Sequence, residues 1–200
     1  MALTKVKSPA VIGIPASVYN AHVPTGSVLQ TVFTNDMTSA SYASTDGDNP
    51  ETVISLAITP SATSSKVLIF GFISIGGLYS SYSGRYDYLG VRLKRGSTDI
   101  GETTDLSSLT TMLGGTATGA RPLHAIIKDE AGYSASRPAS IPFHFVDAPS
   151  TTSATTYNIQ GLVEKQGSAY TMTKNGGGYN YNNDELASAT CNLTLMEIKG

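Results

Sequence analysis

The sequence predicts an all-β fold: an antiparallel two-sheet sandwich, most simply a jelly roll, preceded by an extended N-terminal arm. Three observations carry this. The apolar stretches are short, five to ten residues, and are separated by turns rich in Pro, Ser, Thr and Gly. Charged residues are only 14% of the 200, and helical 3.6-residue periodicity is nearly absent. One stretch, residues 66–75, is long, continuously apolar, β-branched and aromatic, and is bracketed by turn-formers.

That stretch reads as the central strand. Val67, Ile69, Ile73 and Ile75 fall on one face and Leu68, Phe70 and Phe72 on the other, so both faces call for cover. A helix is rejected because Gly71 interrupts the run, and 60–65 and Gly76-Gly77 punctuate its ends. Residues 52–59 alternate, with Ile54, Leu56 and Ile58 inward, and the short 60–65 connection favours a hairpin between the two strands. Residues 86–95 place Leu89, Val91 and Leu93 inward and Tyr88, Arg92 and Lys94 outward; Gly96 then supplies a turn with positive φ before a return strand over 98–102.

Residues 139–146 alternate Ile141, Phe143 and Phe145, and Pro142 makes this an edge or bulged strand. Residues 149–154 echo the chemistry of 60–65 and lead into a strand over 155–164, with 168–173 as its hairpin partner and 190–198 as the closing strand. Residues 27–34 open the domain, 35–50 read as a long polar loop, and 103–120 as a loop or short irregular helix. The organisation is therefore an arm or attachment segment over 1–26, punctuated by Pro9, Pro15 and Pro24, and a sandwich domain over 27–200.

Composition excludes several functions. A formal net charge of −2 with no basic cluster argues against nucleic acid or an anionic membrane as partner. No segment has the length of a membrane span, and the N-terminal residues lack the apolar core of a signal peptide. The expectation is a protein made in a host cytoplasm. Cys191 stands alone and reads as a buried small hydrophobe.

No catalytic constellation is visible. His22, His124 and His144 have no metal-ligand spacing, and the expectation is no metal and no cofactor. Asp46, Asp48 and Glu51 gather in one loop, but Pro50 stands at a ligand position of a calcium loop, and solvated acids account for them. Asp129 and Glu130 are adjacent and would point to opposite faces of a strand, a poor acid/base couple. Tyrosine is the unusual resource. Tyr79, Tyr82, Tyr86 and Tyr88 cluster in one region, and Tyr179 and Tyr181 sit among Asn180, Asn182, Asn183 and Asp184. Aromatic faces beside amides suit sugar rings, which makes Tyr79, Tyr82, Tyr179, Tyr181 and Asn183 candidates for glycan or receptor binding; loop packing or a subunit contact explains exposed tyrosines equally well.

Four stretches carry a resemblance: Met1-Ala-Leu-Thr-Lys-Val, Pro24-Thr-Gly-Ser-Val-Leu-Gln30, the pair of turns in 58–67 and 149–157, and Asn192-Leu-Thr-Leu-Met-Glu-Ile198. In their order and spacing, with the 95–101 hairpin, they resemble virion structural proteins of tailed bacteriophages, especially marine and cyanobacterial ones, including tail-fibre and capsid-fibre domains. The resemblance implies a jelly-roll-like, often trimeric domain on the virion surface, released by lysis, with no catalytic residues to carry over. Its implied partners are other copies of the chain and other virion proteins, the latter met by the arm. A host receptor- or glycan-binding module and a capsid decoration protein are the alternatives.

Overall fold

The computed structural model describes residues 22–44, 50–78, 87–101, 124–128, 139–164, 170–176 and 189–200. Among them are eleven strands: β1 (Val28–Asp36), β2 (Ala40–Ser44), β3 (Glu51–Ile58), β4 (Lys66–Leu78), β5 (Asp87–Arg95), β6 (Thr98–Ile100), β7 (His124–Lys128), β8 (Ala139–Asp147), β9 (Thr155–Glu164), β10 (Tyr170–Lys174) and β11 (Cys191–Ile198). Every pairing between them is antiparallel.

They form two sheets. In the six-stranded sheet the order is β1-β11-β4-β10-β2, with β8 along the other edge of β4. The long β4 pairs β11 over its first half and β10 over its second, so β11 and β10 lie end to end beside it. In the five-stranded sheet the order is β3-β9-β5-β6, with β7 pairing the other half of the same β5 edge. Setting aside β2, β6 and β10, the two sheets read β1-β11-β4-β8 and β3-β9-β5-β7. Apart from β5 and β7, which pair directly, consecutive strands thus pass from one sheet to the other in two interlocked Greek keys, which is the jelly-roll order.

Alternation explains the core. Val67, Ile69, Ile73 and Ile75 of β4 face the second sheet with no exposed surface, and meet Val91 and Leu93 of β5 and Ile159 of β9 in one cluster. Ile141 and Phe143 of β8, and Cys191, Leu193 and Leu195 of β11, complete the layer. Gly71 shares the inward parity of β4, and its place is fixed by a close approach: a methyl group there would collide with the Asn192 carbonyl of β11. Gly96 turns β5 into β6 with φ 59°, as its spacing predicts.

The structure corrects four expectations. The 60–65 connection makes no hairpin: β3 pairs β9 and β4 pairs β8 and β11, so the turn crosses between sheets, and each strand buries one face in the shared core. Residues 35–50 contain β2, whose small residues pair with β10. The strand at 170–174 leaves β9 and pairs β4 and β2 instead. The second face of β4 has no second layer among the described residues: Phe72 is exposed, and Leu68 and Phe70 are only half-buried. In β3 a bulge between Thr52 and Ile54 buries Val53 beside Ile54 and Ile58, leaving Leu56 half-buried. Among the described residues β8 is an edge strand, which accommodates Pro142.

At the N-terminal side the chain joins the body before β1. The amide of Gly26 donates to the Lys199 carbonyl at 2.8 Å, the Lys199 amide to Ser27 at 2.8 Å, and the Lys199 ammonium to the Val23 carbonyl at 2.6 Å. Gly71→Ala should push β4 from β11 and cost about 3 kcal/mol of unfolding free energy, read as a lower urea midpoint. An unchanged midpoint would contradict the close β4–β11 approach.

Candidate functional site

Polar groups gather at the two ends of the sandwich. At the first end, one row of the larger sheet runs Gln30, Glu197, Val67, Asp147 across four strands. Strand alternation turns Val67, Glu197 and Asp147 inward, and both carboxylates are buried.

Glu197 has donors from two separate segments, β1 and the 60–65 turn. Its Oε1 accepts from the Ser61 amide at 2.7 Å, the Ser61 hydroxyl at 2.6 Å and the Ser65 hydroxyl at 2.7 Å. Its Oε2 accepts from Gln30 Nε2 at 2.6 Å, and the same amide donates to the Thr59 carbonyl at 2.6 Å. Burial pushes the carboxyl up, and the hydrogen bonds from Ser61, Ser65 and Gln30 together outweigh it, holding Glu197 below its ordinary value. Three of the stretches singled out in the sequence, 24–30, 58–67 and 192–198, therefore meet on one carboxylate.

Asp147 ties the two sheets. Arg95 Nη1 of β5 reaches both its oxygens at 2.9 and 3.0 Å, and the Tyr157 hydroxyl of β9 donates at 2.6 Å. Burial, followed by the neighbouring Asp147, drives the Tyr157 phenol far above its ordinary value, so it remains a donor. The second echoing turn, 149–154, starts two residues beyond Asp147.

At the other end, the Lys174 ammonium is buried and donates to Asp36 Oδ2 at 2.6 Å and to the Val53 carbonyl at 3.3 Å. Asp36 is held low, first by that hydrogen bond. Burial pushes Lys174 down, but the hydrogen bond to Asp36, together with Tyr42, the Asp36 charge and Cys191, outweighs it and the net direction is up. Asn175, at φ 54°, donates to the Asp36 and Thr38 carbonyls and accepts from the Cys191 thiol at 3.1 Å. Burial raises the Cys191 thiol, so it behaves as a packed, protonated group rather than a nucleophile. A shallow open groove of about 440 Å³ adjoins this cluster, lined by Thr34, Asp36, Thr38, Thr52 and Ser55 among others.

Neither end arranges a nucleophile with a base. Every carboxylate described above is engaged by donors, and no group of His, Cys, Asp and Glu among the described residues could hold a metal. His144 points out to solvent beside Phe143 and Phe145, as its spacing predicts. The glycan candidates Tyr79, Tyr82, Tyr179, Tyr181 and Asn183 lie outside the described residues, as do Tyr86, Asp46, Asp48, Asp129 and Glu130. What residue-by-residue reading missed is Glu197. The signal was present, since the alternation Cys191, Leu193, Leu195, Glu197 sets a carboxylate at a fourth inward position.

Two outcomes follow for the closed end. Glu197→Gln should cost about 3 kcal/mol. Because the folded carboxyl lies below its unfolded value of about 4.3, its contribution is complete at neutral pH and is lost as pH falls through the folded value. Urea unfolding from pH 7 to 3 should therefore show a shallower acid limb in the variant, and parallel limbs would contradict an ionised Glu197. Tyr157→Phe should cost about 1.5 kcal/mol, and in alkaline absorbance titrations it should differ from the parent only once the protein unfolds.

No family model matches the chain, and no curated protein matches it. Solved structures do match. A structure of infectious bursal disease virus, Gx strain, is 15% identical over 85% of this chain and 42% of that chain, with a TM-score of 0.37. The Gt strain gives 15% identity over 88% and 39%, with a TM-score of 0.40. T=1 particles derived from the same virus give 14% over 86% and 36%, with a TM-score of 0.39. The chain spans about two fifths of the length of the chains it matches. At such TM-scores the jelly-roll assignment rests on the strand order alone.

Proposed function

We propose that this chain is a non-enzymatic structural protein of a bacteriophage particle, forming a homotrimeric surface appendage such as a tail fibre or capsid fibre. The observation that carries the reading is where the resembling stretches fall. Residues 24–30, 58–67 and 192–198 converge on Glu197, and 149–157 contains Tyr157, which donates to Asp147 in the same row. They resemble phage virion proteins as the parts of one closed end rather than as scattered short matches. Buried carboxylates with every donor supplied internally support a scaffold role, since catalysis needs such a group facing substrate.

In this reading residues 1–26 dock to the particle, and Tyr79, Tyr82, Tyr179, Tyr181 and Asn183 meet a host-cell glycan. Quantitative mass spectrometry of purified particles tests it. The account expects a few copies per particle, lost when residues 1–21 are deleted and the Gly26–Lys199 bonds are kept. Hundreds of copies would favour a capsid decoration protein, and absence from particles would overturn the virion role.

A further inference from the structure

The outward face of β1-β11-β4-β8 gathers three of the exposed large hydrophobic side chains among the described residues. Its rows are set by register: Thr31, Met196, Leu68, Val146; then Phe33, Thr194, Phe70, His144; then Asn35, Asn192, Phe72, Pro142. Phe33 is 69% exposed, Val146 54% and Phe72 36%, while Leu68, Phe70 and Met196 are half-buried. These six large apolar side chains form one patch, and none of the twelve positions carries Asp, Glu, Lys or Arg. Lys66 lies one row beyond, at the patch's end.

Four strands at about 4.8 Å and three rows at about 6.8 Å give a face of roughly 400 Å². Half of its twelve positions carry large apolar side chains, three of them exposed, a density that suits a contact surface. A standard interface takes about 800 Å² from each partner, with an apolar core and a polar rim, so this face is the size of such a core.

We propose that this face is turned to the rotation axis of the assembly and packs against its equivalents in other copies of the chain. This rests on the homo-oligomeric part of the proposed function and names the surface that makes it. The charge pattern selects the occupant. Around a rotation axis a face meets its own equivalents, so any charge within it would approach a like charge as the contact loses water. A face without Asp, Glu, Lys or Arg across all three rows, with His144 as its one titratable side chain, satisfies that condition, whereas recognition of a charged partner would place complementary charge among them.

The test is site-specific photo-crosslinking in the full chain, with benzoylphenylalanine at Val146. The expected result is an intersubunit product in which position 146 joins outer-face peptides of another copy, around residues 31–35, 66–72 or 192–198. Crosslinks to residues 1–21 of the same chain, to another surface of a second copy, or to none in a protein that is multimeric would overturn the assignment while leaving oligomerisation intact. A monomeric parent protein would overturn both. A second variant, Phe33→Asp with Val146→Asp, changes two largely exposed side chains; it should keep its sheet circular dichroism and sediment as a 20.9 kDa monomer. A double variant that stays multimeric contradicts the proposal.

Discussion

The closed end of the sandwich depends on two carboxylates that face inward on either side of Val67. Glu197 and Asp147 occupy the same row as the first core residue of β4, where alternation makes the position inward and burial makes an ionised group costly. The cost is met only when donors arrive from distant parts of the chain: Gln30 from β1, Ser61 and Ser65 from the crossing turn, Arg95 and Tyr157 from the opposite sheet. Each sheet therefore completes the other's hydrogen bonding, and the end closes as a unit. An apolar residue at either position would pack more simply, but it would leave the 60–65 turn without anchorage and the two sheets without a polar tie across their edge.

Central strand and crossing turns explain one another. Because β4 pairs β8 on one side and β11 then β10 on the other, it must be entered from the second sheet and left toward it. Pro60 and the serines after it make that crossing rigid and short, and Glu197 holds its far side. At the opposite end, the Lys174–Asp36 pair with Asn175 performs a comparable service, tying β10 to the end of β1 and, through the Val53 carbonyl, to β3.

Much of this was legible from alternation. The faces of β4, the inward Val91 and Leu93, the outward His144, the edge character of β8 and the turn at Gly96 all follow from period-two patterning and the chemistry of Gly and Pro. Partner choice was not legible, because a short turn rich in Pro and Ser serves a hairpin or a sheet crossing equally well. β2 escaped notice because Ala and Ser carry little strand signal and Tyr42 stands alone among them, and the strand at β10 was legible but not its partners, because its neighbours in sequence are not its neighbours in space. Glu197 was legible in pattern but not in role, since its donors lie up to 167 residues away. The outer face of β4 shows the reverse case: its apolar residues called for a covering layer, and the described residues supply none, leaving Phe33, Phe72 and Val146 exposed.

Under the proposed function, this chain works as a homotrimer. Absolute mass by light scattering on a sizing column tests that most directly. The account predicts a species near three times 20.9 kDa that persists on dilution. A stable monomer at 20.9 kDa across the whole concentration range would contradict it.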